Sequence, residues 1–162
     1  MASVPALVTE DAAVFRSALP LGGVLLGLDL GTRTIGTALC DAGWSFATAA
    51  KTLPKGKFSR DRAALADICK ARSVAGLVLG LPLNMDDTEN EMCARARKFG
   101  NRLHGRFHLP VAMVDERLSS FEAKGEVLAA GGSRDFGRHG VDDRAAVLIL
   151  ETWFGLEAEA RN

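Results

Sequence analysis

Between residues 24 and 52 three short apolar runs follow one another with only a few residues between them, and this spacing constrains the fold more than any other feature. Val24-Leu25-Leu26-Gly27-Leu28-Asp29 reads as a buried strand that ends on an acid. Gly31-Thr32-Arg33-Thr34 is turn chemistry, and Ile35 to Cys40 resumes as a strand. Asp41-Ala42-Gly43 turns the chain again, and Trp44 to Thr52 reads as a third strand. Parallel pairing needs a long crossover, so three strands joined this closely must be antiparallel neighbours.

After residue 60 the rhythm changes. Leu65, Ile68, Cys69 and Arg72 stand at helical spacing, with Ala64 filling the apolar face. Val74 to Gly80 is a short apolar run that suits a central strand, and the loop from Leu81 to Asn90 leads to a helix carrying Met92, Ala96, Phe99 and Leu103 on one face. Pro110 to Asp115 is another strand. Ser119-Ser120-Phe121-Glu122 is a capping-box start for a helix ending at Gly131-Gly132. A last helix is expected from about Asp142 to Phe154, with Ala145, Ala146, Ile149, Leu150 and Trp153 as its buried stripe.

The order β-β-β-α-β-α-β-α-α implies an α/β fold: a mixed five-stranded sheet, three strands antiparallel and the rest alternating with helices that cover its faces. Residues 1–22 have weak periodicity and read as a weakly structured extension; 23–156 form the domain and 157–162 a short tail. A length of 162 residues fits one domain of ordinary size.

No apolar run approaches the roughly 20 residues needed to span a bilayer, and Glu10, Asp11 and Arg16 interrupt the stretch where a signal peptide would lie. A cytoplasmic location without membrane contact is expected. Cys40, Cys69 and Cys93 are odd in number and far apart, which fits buried thiols rather than disulfides or a zinc site. The 20 basic and 20 acidic residues cancel, so a nucleic-acid partner would have to be held by a local patch rather than by bulk charge. Two basic runs are available: Lys55, Lys57, Arg60 and Arg62, and then Arg95, Arg97, Lys98, Arg102 and Arg106 along a helix, a pattern that most often marks a solvated face.

The acids are the chemically informative residues. Asp29 closes the first apolar run and Asp115-Glu116 the last, where an open α/β sheet empties into its ligand crevice. Asp142-Asp143 begins the expected final helix, where a cap is the plain structural role. Each acid alone reads as structural; together they suggest a site. Hydrolysis of a phosphodiester needs a nucleophilic water, neutralisation of the oxygens and help for the leaving group. Two hard cations about 4 Å apart supply all three, and carboxylates are the natural ligands of Mg²⁺.

Four segments also carry a resemblance. Leu28-Asp29-Leu30-Gly31-Thr32-Arg33-Thr34-Ile35-Gly36, Gly80-Leu81-Pro82-Leu83-Asn84-Met85-Asp86, Asp115-Glu116-Arg117-Leu118-Ser119-Ser120, and Val141-Asp142 followed by Ala145-Ala146 resemble the YqgF family, also called RuvX, in order and spacing. The resemblance covers about residues 24–154. A lone Asp-x-Gly-Thr is shared by sugar kinases, actins and chaperone ATPases; the four segments together are specific. Asp87 and Asn90 stand where glycines are commoner in the family, and Gly137-Arg138-His139-Gly140 is richer in glycine.

The resemblance implies a ribonuclease-H-like fold related to the RuvC Holliday-junction resolvases, and a metal-dependent nuclease acting on the 5′ end of the small-subunit ribosomal RNA precursor. Carried over by position, the catalytic and metal-binding acids are Asp29, Glu116 and Asp142, with Asp115 and Asp143 as alternatives, holding Mg²⁺ or Mn²⁺ in a two-metal site. Glu116 is preferred to Asp115 for reach, because only one of two adjacent strand residues faces the crevice. Gly31, Thr32, Arg33, Asn84, Arg117 and Arg138 are the candidates for substrate contact, and His139 for a proton shuttle, although a lone histidine rarely serves as one.

Three other readings compete. An actin-like ATPase would need a second domain with its own phosphate loop, for which the chain has no room. A non-catalytic binding module in ribosome assembly or transcription suits the neutral charge but not the retained acids. A junction resolvase would need a dimer to cut two symmetry-related strands. The expected partner is nucleic acid, structured RNA in preference to branched DNA, bound by a monomer or weak homodimer.

Overall fold

In the computed structural model, which describes residues 7–20, 22–117 and 136–161 and side chains only from 144 onward in the last segment, ten elements follow one another. A two-residue strand β1 (Val8–Thr9) and a short helix α1 (Ala12–Ser17) precede the meander of β2 (Val24–Leu30), β3 (Thr34–Cys40) and β4 (Ala47–Pro54). Then come α2 (Phe58–Arg72), β5 (Val74–Leu81), α3 (Glu91–Phe107), β6 (Val111–Asp115) and a long α4 (Phe136–Arg161). The helix expected from Ser119 lies outside the described residues.

The strands form one mixed sheet in the order β1-β6-β5-β2-β3-β4. The meander is antiparallel as its short turns require, with Leu28 opposite Thr37 and Leu39 opposite Thr48. β1, β6, β5 and β2 are mutually parallel. β2, β5 and β6 therefore end at the same edge, where Asp29, Leu81 and Asp115 stand.

Two apolar layers flank the sheet. Leu26, Leu28, Leu77, Leu79, Val111 and Met113 pack with Leu65 of α2 and with Phe99 and Leu103 of α3. The alternate residues Leu25, Val78, Ala112 and Val114 pack on the other side against Ala146, Ile149, Leu150 and Trp153 of α4. This two-sided burial explains why the central strands are continuous apolar runs without alternation. α3 starts at Asn90, whose side chain accepts from the Cys93 amide at 3.0 Å, and stops at His108 in the left-handed region (φ 57°). The three cysteines are free. Among the described residues no helix is long and apolar enough to cross a membrane.

Four expectations need correction. The sheet has six strands rather than five, because Val8 and Thr9 pair with Val111 and Ala112. The extension is not weakly structured between Val8 and Ser17: Asp11 caps α1, and Phe15 is fully buried with its ring 5.4 Å from Trp153 in an edge-to-face contact. The expected tail continues α4 as far as Arg161, with buried Glu157 paired to Arg16 at 2.9 Å and Arg161 at 2.8 Å. Trp44 lies outside the third strand; it takes φ 59° in the turn and donates its indole N–H to the Gly23 carbonyl at 2.8 Å.

Because Phe15 fills the layer under Trp153, Phe15→Ala should cost about 3–5 kcal/mol by chemical denaturation, as for other large-to-small core changes. An unchanged midpoint would mean that residues 8–17 do not belong to the folded unit.

Candidate active site

Strand alternation decides which acids can meet. On β2, Leu26 and Leu28 face the α2/α3 layer and Leu25 faces α4, so Asp29 has the parity of the α4 side. On β6, Ala112 and Val114 face α4 and Met113 faces away, so Asp115 turns toward the α2/α3 side. Glu116, in the helical turn just past the strand, lies on the α4 side, where a Cβ on Gly80 would meet both its carboxyl carbon and Ile149. Asp29 and Glu116 thus share a face, and Asp115 does not.

The contact between them crosses a strand. β5 lies between β2 and β6, and neighbouring strands are about 4.8 Å apart, so the two acids start roughly 10 Å from each other. Leu28 is level with Leu79, so the next positions in that register are Asp29 and Gly80. Gly80 is itself level with Val114. A Cβ at position 80 would come within 3.3 Å of the Glu116 carboxyl carbon and 2.6 Å of Ile149 Cδ1. Without one, the longer glutamate side chain lies over Gly80 and hydrogen-bonds to Asp29. An aspartate at 116 would be one methylene shorter.

Burial, the hydrogen bond to Asp29 and the nearby Asp29 charge together push the Glu116 carboxyl up to about 9. Two acids this close cannot both ionise cheaply, so Glu116 keeps its proton well above the ordinary carboxylate range.

Asp115 instead holds Arg117. Arg117 Nη2 donates to Asp115 Oδ2 at 2.7 Å and Nε to Asp115 Oδ1 at 3.0 Å, and this charge-assisted pair keeps the Asp115 carboxyl below its ordinary value. The same guanidinium clasps the β5–α3 loop through the Asn84 carbonyl at 2.8 Å and Asp87 Oδ1 at 2.7 Å. The Asn84 side chain is engaged within that loop: its Nδ2 donates to Thr88 Oγ1 at 3.0 Å and its Oδ1 accepts from Asn90 Nδ2 at 2.7 Å. Asp87 has φ 71°, a conformation natural to glycine and tolerated by aspartate, whose side chain here gains the arginine contact. Asn90 likewise serves as cap and loop tie.

The expected start of the final helix also needs correction. α4 begins at Phe136, so Asp142 and Asp143 lie inside the helix and neither is a cap. The sequence places the start too late because Gly137 and Gly140 disfavour a helix locally. Side chains at Arg138, His139, Asp142 and Asp143 lie outside the described residues. The backbone nevertheless fixes the direction of α4. Trp153 packs 5.2 Å from Trp44, which bonds Gly23 at the start of β2, while a Cβ on Gly27 would meet Leu150 Cγ at 2.7 Å and the Ala146 carbonyl at 2.9 Å. α4 therefore runs antiparallel to β2, and position 142, one turn before Ala146, lies toward the Asp29 end. Among the described residues no third acid, histidine or cysteine joins Asp29 and Glu116.

Gly31, Thr32 and Arg33 form the β2–β3 hairpin tip beside Asp29, closed by the Gly31 amide donating to the Thr34 carbonyl at 2.9 Å; Thr32 and Arg33 are exposed. The role of Gly80 escaped the sequence reading, although an all-apolar strand ending in a glycine between two acid-terminated strands was a signal for it.

A mixed sheet with α4 on one face, two helices on the other and acids at the shared carboxyl edge defines the ribonuclease-H-like class built as in the RuvC resolvases. The fold matches Thermus thermophilus RuvC in complex with a Holliday junction substrate at TM-score 0.56 and 12% identity, covering 86% of this chain and 97% of that one. It also matches the yeast mitochondrial Holliday junction resolvase Ydc2 at TM-score 0.54 and 11% identity, over 92% and 86% of the two chains. The model of the RuvX family, described as Holliday junction resolvase, matches residues 23–156, and the chain belongs to that family. A Marinobacter nauticus protein named "Putative pre-16S rRNA nuclease" is 60% identical over 129 residues, 80% of this chain and 90% of the relative. A Sphingopyxis alaskensis protein of the same name is 44% identical over 145 residues, 90% and 95% of the two chains.

The raised Glu116 carboxyl gives a pH signature. Glu116 is raised in the folded state, so its contribution to stability is full below the ordinary glutamate range and is lost as pH rises toward about 9. Chelator-treated protein should lose melting temperature from pH 5 to pH 9, and Glu116→Gln should flatten that decline. Parallel profiles would show that Glu116 does not hold its proton above the ordinary carboxylate range.

Proposed function

We propose that this chain is a metal-dependent endonuclease that acts on structured RNA and processes the 5′ end of the pre-16S ribosomal RNA precursor in the cytoplasm, as a monomer or weak homodimer. The observation that carries this reading is the half-buried contact of Glu116 with Asp29 over Gly80, at the edge where β2, β5 and β6 end together. Two carboxyls held in contact suit a hard divalent cation, and the direction of α4 makes Asp142 the natural third ligand, with Asp143 adjacent. Bound there, Mg²⁺ or Mn²⁺ would offset phosphate charge and activate water, as in two-metal hydrolysis.

The chain's own residues set up the rest. Asp29 and Glu116 fix where the scissile phosphate must sit. Arg117 is a positioning residue, because its guanidinium is engaged by Asp115, Asp87 and the Asn84 carbonyl. The hairpin tip at Gly31, Thr32 and Arg33 is open to a neighbouring phosphate. The names carried by the relatives from Marinobacter and Sphingopyxis support the RNA substrate. The description of the family model favours a second reading, resolution of branched DNA. Depleting the protein separates the two: accumulation of precursor with an extended 5′ end supports the first, and normal ribosomal RNA ends with defective junction resolution supports the second.

Purified protein with Mg²⁺ or Mn²⁺ should cut a structured RNA, and chelator should abolish cutting. Outer-shell partners of metal sites typically cost 10–100-fold when lost, so Asp29→Asn, Glu116→Gln and Asp142→Asn should each cost more than about 100-fold while the proteins stay folded. Wild-type rates in Asp29→Asn would exclude the carboxylate site.

Asp115→Asn should behave differently. It loosens the Arg117 clasp and should lower stability by about 1–2 kcal/mol, with cleavage largely retained. Loss of cleavage in Asp115→Asn but not in Glu116→Gln would reassign the ligand.

A further inference from the structure

On the other side of the β2–β3 hairpin from the acid pair lies a cleft of about 270 Å³, lined among others by Gly31, Thr32, Lys55, Phe58, Lys98 and Arg102. The backbone builds it. The Lys55 amide donates to the Arg33 carbonyl at 2.9 Å, which draws the start of α2 against the hairpin tip, and α3 forms the far wall. Phe58 meets Phe99 edge-on at 5.8 Å, and the Arg102 guanidinium stacks over the Phe58 ring at 3.8 Å.

The cations of α3 differ in whether an acid answers them. Arg97, away from the cleft, is neutralised by Glu89 and by Glu10 at 3.1 Å, and Arg95, which lines the cleft, is paired with Glu91 at 3.0 Å. Among the described residues Lys98 and Arg102 have no carboxylate within ion-pair distance. Both are exposed and both face the cleft. Lys55, half-buried on the near wall, adds a third cation whose nearest acid is Asp61 at 3.8 Å. In a chain of zero net charge, Lys98 and Arg102 thus place two unpaired cations side by side on the cleft, with Lys55 opposite them.

We infer that this cleft binds the sugar–phosphate backbone of a single nucleic-acid strand next to the cut site, with phosphate on Lys98, Arg102 and Lys55 and a base against the Arg102–Phe58 stack. The inference rests on the nuclease reading for its direction. Asp29 and Gly31 are two residues apart, at most about 7 Å along the chain, so a strand leaving the acid pair passes over the hairpin tip into the cleft. The cavity is too small for a duplex, and cations combined with an aromatic platform are how proteins hold single strands without reading sequence. Arg guanidinium planes also stack on unpaired bases.

The test measures binding of a fluorescent single-stranded oligoribonucleotide to the full chain in chelator, across a salt series, for Lys98→Gln, Arg102→Gln and Arg97→Gln. Each phosphate contact contributes about 0.7 to the slope of log affinity against log salt for a single strand. Lys98→Gln and Arg102→Gln should each lower the slope by about that amount and weaken binding several-fold. Arg97→Gln removes the same charge from the same helix on its paired flank and should change neither. Lys98 is exposed, so Lys98→Gln remains informative even if loss of the Phe58 stack destabilises Arg102→Gln; Arg102→Lys should keep the slope and still lose affinity.

Equal effects from Lys98→Gln and Arg97→Gln would reduce the cleft to bulk charge and overturn the assignment. So would an equal loss for a duplex of the same sequence. Because binding is read without divalent cation, a wild type that fails to cut but shows this pattern rejects the nuclease reading and keeps the cleft. One that cuts without the pattern does the reverse.

Discussion

The hydrogen bond between the Glu116 and Asp29 carboxyls, made over the bare backbone of Gly80, is the constraint on which the architecture of the site depends. It joins the ends of two strands that are not neighbours in the sheet. It needs the parallel register that puts Asp29, Gly80 and Val114 in one row, and it needs a glutamate rather than an aspartate on the far strand. It also costs energy when no cation is present, because burial and mutual repulsion hold Glu116 protonated near neutrality. Such a local cost is what a functional site imposes on an otherwise consistent fold.

The surrounding packing serves to hold that contact in place. α4 approaches the sheet closely because Gly27 and Gly80 leave room for Leu150, the Ala146 carbonyl and Ile149. Its far end is anchored by Trp153 between Phe15 and Trp44, so the N-terminal extension supports the helix that carries Asp142. On the opposite side of β6, Asp115 and Arg117 tie the β5–α3 loop to the strand end. Adjacent residues in sequence thus do opposite work: Glu116 meets another acid, and Asp115 neutralises a base.

Much of this was legible in the sequence, and the parts that were not share a physical reason. The meander, the central strands and the amphipathic α3 follow from local period and turn chemistry, and the acids at the strand ends follow from the same runs. Val111 to Val114 are apolar at every position, so the pattern of β6 could not choose a face, and the contact of Glu116 with Asp29 depends on the bare backbone of Gly80 on the strand between them. The folded extension was hidden because a two-residue strand has no readable period, and the burial of Phe15 depends on Trp153, far away in the chain. The start of α4 was hidden because Gly137 and Gly140 argue against a helix locally and tertiary packing overrides them. The basic run on α3 read as a solvated face, since pairing with Glu89, Glu91 and Glu10 cannot be seen in a charge pattern.

The central claim is that Asp29, Glu116 and Asp142 form one cation site. Anomalous diffraction from crystals soaked in Mn²⁺ tests it most directly. The account predicts a peak within carboxylate bonding distance of Asp29 and Glu116, with a ligand from Asp142 on α4, and loss of that peak in Asp29→Asn crystals. A soaked crystal with Mn²⁺ bound elsewhere, and with the Glu116–Asp29 hydrogen bond still closed, would contradict it.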